Sequence, residues 1–340
     1  MNAVVIGGGT GVPVSIGALR ELDIATDAVV AMADDGGSSG MLRERTGKVP
    51  PGDVRKCIVA MARDPQSPWV RAFTERFDYI NNHTLGNLML IALEASTHSF
   101  SEAIRLCENL LEAQGHVYPS TLESVVLTGI TRDGQRLEGQ STICKSRTAL
   151  ARVDLTPSAP KPNQEALEAL RRADLIVLGP GSLFTSILPN LLVPGVQEAI
   201  RESRACKVFV CSLGDMQGET WGLSAAEHVE ALLDHGMHGA IDVVIAHRDA
   251  EVEASAQQVG NVTGVFQAIP ESPPDVMAPS RTRHIQSVNC SADDARRIEK
   301  AGALLITRDL RDQKHPTWHD RAKLAETLKG VMLACRSPQK

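Results

Sequence analysis

The stretch "AVVIGGGTGVPVSIGALREL" (residues 3–22) decides the fold. Its first five residues form a continuous apolar run rich in Val and Ile, as expected of a parallel strand buried on both faces. Glycines from Gly7 to Gly9 stop that run, and Pro13 stands where a helix opens. Strand, glycine turn and helix together make the first half of a βαβ unit.

The pattern then recurs. "DAVVAMA" (27–33), "ADLIVLGPG" (173–181), "KVFVCSLGD" (207–215), "IDVVIAH" (241–247) and "GALLITRD" (302–309) read as further buried strands. Helical patterns lie between them, among them "VRKCIVAMAR", "LGNLMLIALEAS", "QEALEALRRA" and "AAEHVEALLDHG", with "DRAKLAETLKGVMLAC" closing the chain. Alternating strands and helices predict an α/β fold: Rossmann-like, doubly wound, with a mostly parallel sheet and helices on both faces. The expected organisation is a single domain over residues 1–340. One stretch departs from it. "LESVVLTGITRDGQRLEGQSTI" alternates at period two around Asp133-Gly134, so a β-hairpin insertion is expected over 122–146. "IPESPPDVMAPSR" (269–281) is Pro-rich and reads as an extended loop near the mouth of the fold.

Composition bounds the function. Hydrophobic residues make up 43% of the 340, and aromatics only 3%, so the core must be built from Ala, Val, Ile and Leu. A net charge of −6 argues against a nucleic-acid partner or an anionic membrane surface. The seven cysteines form no CxxC pair, and neither a disulfide framework nor a zinc site fits them, so free thiols are expected. No apolar run reaches the roughly 18 residues of a membrane helix, and "MNAVVIGGGTG" lacks the features of a secretion signal. A cytoplasmic protein without membrane insertion is the expectation.

Four polar, glycine-rich loops follow apolar strands. In the first, Gly8, Gly9, Thr10 and Gly11 join strand to helix, where backbone amides and the helix dipole can approach a phosphate. The spacing is neither GxGxxG nor a P-loop. The second is "ADDGGSSG", in which Asp34 and Asp35 precede Gly36, Gly37, Ser38 and Ser39. Two adjacent carboxylates suit Mg²⁺ shared with phosphate oxygens; alternatively, one accepts from a sugar hydroxyl and its neighbour is a base. The third loop carries Gly179, Gly181, Ser182, Thr185 and Ser186, and the fourth Asp215 and Glu219. A plain turn accounts for any one of them. All four lie at carboxyl ends of strands, where open α/β sheets bind ligands, and turn chemistry does not require that convergence.

"VPPGDVRKC" adds a helix start in which Asp53 reads as the N-cap and Arg55 and Lys56 fall in the first turn. Cations there oppose the helix dipole, an arrangement that suits a bound anion better than fold stability. With Arg43, Arg45 and Lys48, five positive charges fall within fourteen residues. "NNHTLGNLML" places His83 ahead of a helix capped by Thr84, with Asn87 one turn in. A polar side chain on so apolar a helix needs a partner.

At "GGGTG", "ADDGGSSG", "PPGDVRKC", "HTLGNLML" and "LGPGSLFTSI", in this order, the chain resembles the CofD/YvcK superfamily. The resemblance covers residues 3 to about 235, is closer to the YvcK-like branch, and weakens over 250–340. It implies a Rossmann-like fold and a nucleotide-type ligand across Gly8–Gly11, Asp34–Gly40 and Gly179–Ser186. It further implies a gluconeogenesis factor: a nucleotide-sugar-binding regulator tied to cell shape and growth on gluconeogenic carbon sources. Such a protein is compatible with a homo-oligomer and with protein partners in cell-wall metabolism. The alternative is a CofD-like 2-phospho-L-lactate transferase using Mg²⁺ and a guanylyl donor. Near the C-terminus many relatives read Arg-His-Asp, whereas this chain has Trp318-His319-Asp320, with Arg321 or Arg308 as candidate substitutes.

Overall fold

Each of the apolar runs becomes a strand, because a β-branched run with no polar face is stable only when covered on both sides. The computed structural model describes residues 1–46, 50–215, 218–248, 265–267 and 284–336. Seven strands, Asn2–Gly7, Ala25–Val30, Val117–Pro119, Leu175–Leu178, Cys206–Val210, Val243–His247 and Leu304–Arg308, pair in parallel throughout. Numbered along the chain, their order across the sheet is 3-2-1-4-5-6-7. This is the doubly wound order, and it reverses between Asn2–Gly7 and Leu175–Leu178. Val5, Ile6, Ile176 and Val177 are wholly buried at that reversal, each worth about 1.5–3 kcal/mol of apolar burial.

The helix Gly11–Arg20 packs against Gly52–Met61 and Arg321–Arg336, while Gln164–Arg172 packs against Val196–Glu202. Ser99, Ser224 and Ser291 cap later helices with their side chains, the last two in full capping boxes.

Several local expectations change. The insertion is a three-stranded antiparallel sheet, in which Val126–Thr131 pairs with Arg136–Glu138 and with Leu150–Thr156, beyond the expected boundary. The second glycine loop is partly helical, over Gly37–Thr46, although glycine and serine favour turns. Cys206 and Cys335, 129 residues apart, are disulfide-bonded with Cα atoms 6.3 Å apart, which corrects the expectation that every cysteine is free. The Pro-rich 269–281 segment, Lys48 and the Arg45 and Ser39 side chains lie outside the described residues. Among the described residues, no single helix is long and apolar enough to cross a membrane.

Candidate functional site: a crevice at the strand-order reversal

The first and third glycine loops meet where the strand order reverses. A Cβ at Gly11 would lie 2.0 Å from the Pro180 carbonyl oxygen, so only glycine lets the two loops approach this closely. Ser15 Oγ donates to the Gly179 carbonyl at 2.7 Å, and Asn190 Nδ2 donates to the carbonyls of Gly7 (3.0 Å) and Ser186 (2.8 Å). Asn190, wholly buried, therefore ties the two loops together. Nothing in its own stretch of sequence marked it.

Asp53 belongs to this junction in a different role from the expected one. The cap of its helix is Pro51, and Asp53 sits in the first turn. Its carboxylate is thereby free to reach out: Oδ2 accepts from the Gly9 amide at 2.7 Å and Oδ1 from Lys56 Nζ at 3.0 Å. A Cβ at Gly8 would lie 2.6 Å from Asp53 Oδ2 and 3.4 Å from Ser186 Oγ. Gly8, Gly9, Ser186, Asp53 and Lys56 are thus assembled. Thr10 precedes the helix but is exposed and makes no capping bond.

A second group adjoins the first through Arg55. Arg55 Nε donates to Asn87 Oδ1 at 3.1 Å, Asn87 Nδ2 to Ser38 Oγ at 3.0 Å, and Ser38 Oγ lies 2.6 Å from His83 Nδ1. Thr84 caps the Leu85–Thr97 helix as expected, accepting from the Asn87 amide. Arg55, His83 and Asn87 are nearly fully buried. Burial, with the Arg76 guanidinium nearby, brings the Arg55 pKa down to about 10. Burial also acts to lower Lys56, but the charge and hydrogen bond of Asp53 outweigh it, and its pKa moves up. Asp34 contributes to that field. A cation pair close to the start of the Gly52–Met61 helix, half-neutralised by Asp53, is well placed to meet an anion.

Other candidates are engaged elsewhere. Asp35 Oδ1 accepts from the Ser141 amide and hydroxyl, both at 2.7 Å, in the first turn of the Gln140–Ile143 helix of the insertion. Asp34 Oδ1 accepts from the Gly36 amide at 3.0 Å. The pair does not present two free carboxylates to one cation. Among the described residues no group of three His, Cys, Asp or Glu side chains could hold a metal ion.

Thr185 faces a buried carboxyl group. Glu219 Oε1 accepts from the amides of Phe184 (2.8 Å) and Thr185 (2.9 Å), and Thr185 Oγ1 bonds the same carboxylate. Ser182 contributes a further hydrogen bond. Fully buried, Glu219 has its pKa raised by desolvation, which its hydrogen bonds only partly counter. The amides at the start of Leu183–Ile187 are therefore satisfied within the protein, and Gly181 and Ser186 are what this loop offers the crevice. Asp215, one strand further, is likewise buried and accepts from Gly222 and Gln286.

At the C-terminal end, His319 Nε2 donates to the Cys211 carbonyl at 3.1 Å, and burial brings its pKa down to about 4. Trp318 is half-exposed against the His315 ring, 5.4 Å between centroids. Arg321 pairs with Glu21 at 2.6 Å and Arg308 donates to the Thr307 carbonyl.

The family model for 2-phospho-L-lactate transferase CofD matches residues 3–268. The gluconeogenesis factor of Halalkalibacterium halodurans is 43% identical over 249 residues, covering 72% of this chain and 77% of that protein. That of Bacillus subtilis is 40% identical over 248 residues, 72% and 78% of the two chains. The crystal structure of a UPF0052 family member from Bacillus halodurans superposes with a TM-score of 0.82 at 33% identity, covering 96% of this chain and 98% of that one. The chain belongs to the CofD family and, within it, to the gluconeogenesis-factor branch.

Proposed function

We propose that this chain binds a nucleoside diphosphate, free or within a nucleotide sugar such as a UDP-sugar, in the crevice between Gly8–Gly11 and Gly179–Ser186. Through that binding it acts as a cytoplasmic regulator of the gluconeogenesis-factor type, needed for cell shape and for growth on gluconeogenic carbon sources. One observation carries the reading: the strand-order reversal, where open α/β sheets bind ligands, coincides with a buried Arg55 and a half-buried Lys56, the fourth and fifth residues of the Gly52–Met61 helix. Burial disfavours a cation there, and a bound anion would offset that cost. In this reading Gly8, Gly9 and Gly11 line the phosphates, Arg55 and Lys56 neutralise them, and Ser38, His83, Asn87 and Ser186 complete the pocket.

The CofD match supports a second reading, a phospho-group transferase that uses Mg²⁺. Asp35 Oδ1 is already held by the Ser141 amide and hydroxyl, which disfavours a paired-carboxylate metal site. Calorimetric titration with UDP-glucose, GDP and NAD, each with and without Mg²⁺, tests both. The regulator reading expects metal-independent binding of a diphosphate. Binding strictly dependent on Mg²⁺ would favour the transferase, and absence of binding by all three would remove both.

A further inference from the structure

The hydrogen-bonded chain from Arg55 to His83 has a direction. Arg55 Nε can only donate, so the atom 3.1 Å away is the Asn87 carbonyl oxygen. That orientation leaves Asn87 Nδ2 as a donor to Ser38 Oγ at 3.0 Å. Ser38 Oγ accepts there and lies 2.6 Å from His83 Nδ1, a normal O–H···N length when the neutral ring carries its proton on Nε2. His83 and Asn87 are 4% and 3% exposed, so bulk water does not compete for these bonds, whereas Ser38 stands half-buried at the lip. A hydroxyl within hydrogen-bond reach of an imidazole is the core of an activated nucleophile, and here the third group, Asn87, positions the hydroxyl rather than the base.

We propose that Ser38 is a nucleophile with His83 as its base, and that it attacks a phosphorus atom of the diphosphate bound in the crevice. The electrophile rests on the nucleotide reading above; the activated serine does not. In the step, the Ser38 hydroxyl proton passes to His83 Nδ1 and a bond forms from Oγ to the distal phosphorus. The bond from that phosphorus to the bridging oxygen breaks, and the nucleoside monophosphate leaves with the electron pair. The distal phosphoryl group, with any sugar attached to it, stays on Ser38. Arg55 and Lys56 stand beside this path to take up the negative charge that develops.

The test uses the full chain and diisopropyl fluorophosphate, which forms an Oγ–P bond and releases fluoride. Peptide mass spectrometry should find the adduct on Ser38. His83→Ala should slow labelling at least tenfold, and Asn87→Ala less so. Ser38→Ala, which keeps the fold, should take no adduct at that peptide. No adduct on Ser38 of the folded chain, or an equal rate in a folded His83→Ala, overturns the nucleophile. A second arm incubates the chain with UDP-glucose and reads released UMP together with a glucose-phosphate mass on Ser38. Labelling without UMP release, in a chain that calorimetry shows to bind UDP-glucose, overturns the transfer. If calorimetry shows that no nucleotide binds, the failure belongs to the nucleotide reading, and the proposed attack on a diphosphate falls with it.

Discussion

The Gly9 amide donates to Asp53 Oδ2 at 2.7 Å, so a carboxylate from one helix already occupies a donor of the first glycine loop. Its other oxygen holds Lys56 at 3.0 Å. An arriving phosphate must share or displace that carboxylate. Asp53→Asn keeps an acceptor for Gly9 while removing a negative charge, so affinity for GDP should rise at least about threefold, since like charges at this range repel appreciably even in a polar site. Calorimetry reads the change; an unaltered or weaker affinity would mean that Asp53 serves the ligand rather than opposing it.

Arg55 gives the opposite pair of effects. A pKa brought down from the ordinary guanidinium range to about 10 corresponds to about 3 kcal/mol against the buried cation. The folded state disfavours the charged form, so the cost is fully present at neutral pH and is relieved only as pH rises above about 10. Arg55→Met removes that cost but leaves Asn87 Oδ1 without its donor, a loss of about 1–3 kcal/mol. The apo stability from urea unfolding should therefore be unchanged or rise by up to about 2 kcal/mol, while GDP affinity should fall at least about tenfold, as expected for a lost charge-assisted contact.

Glu219 should behave as a buried carboxyl group whose proton is held more tightly in the folded state. Glu219→Gln retains an acceptor for the Phe184 and Thr185 amides, whereas Glu219→Ala leaves both unpaired and should cost about 2 kcal/mol or more. Because its carboxyl binds a proton more tightly folded than unfolded, the wild type should gain stability as pH falls from neutral through the raised folded value towards 4.5. The Gln variant should lack that gain. Urea midpoints measured against pH give the comparison.

Asp34 and Asp35, adjacent in sequence, should separate by function. Asp35→Ala removes the acceptor of two Ser141 hydrogen bonds and should cost about 1–3 kcal/mol. Amide exchange should then quicken in Val126–Thr131 and Leu150–Thr156, the sheet of the insertion that Ser141 belongs to. Asp34→Asn should leave that exchange unchanged and alter nucleotide affinity instead.

These side chains show how far the sequence could be followed. The strands were legible because an unbroken run such as "AVVIG" has no polar face to expose, and the glycine loops because their composition resists regular structure. Arg55 and Lys56 were legible as cations at the wrong end of a helix. What could not be read was long-range: Asn190 bridging the Gly7 and Ser186 carbonyls, Glu219 filling the third loop, and Cys206 meeting Cys335. Local spacing carries no trace of such pairings. The cap expected at Asp53 lies two residues earlier, at Pro51, for a related reason, since the Asp53 carboxylate accepts from Gly9 rather than from its own helix. The Gly37–Thr46 helix was hidden by a glycine- and serine-rich start.

The measurement that bears most directly on the nucleotide reading is a crystal structure of the full chain with GDP. Diphosphate density is expected in the crevice between Gly8–Gly11 and Gly179–Ser186, with Arg55 or Lys56 within hydrogen-bond distance of a phosphate oxygen. Density for the nucleotide at any other place, or a crevice left empty at a GDP concentration that saturates binding in solution, would contradict that reading.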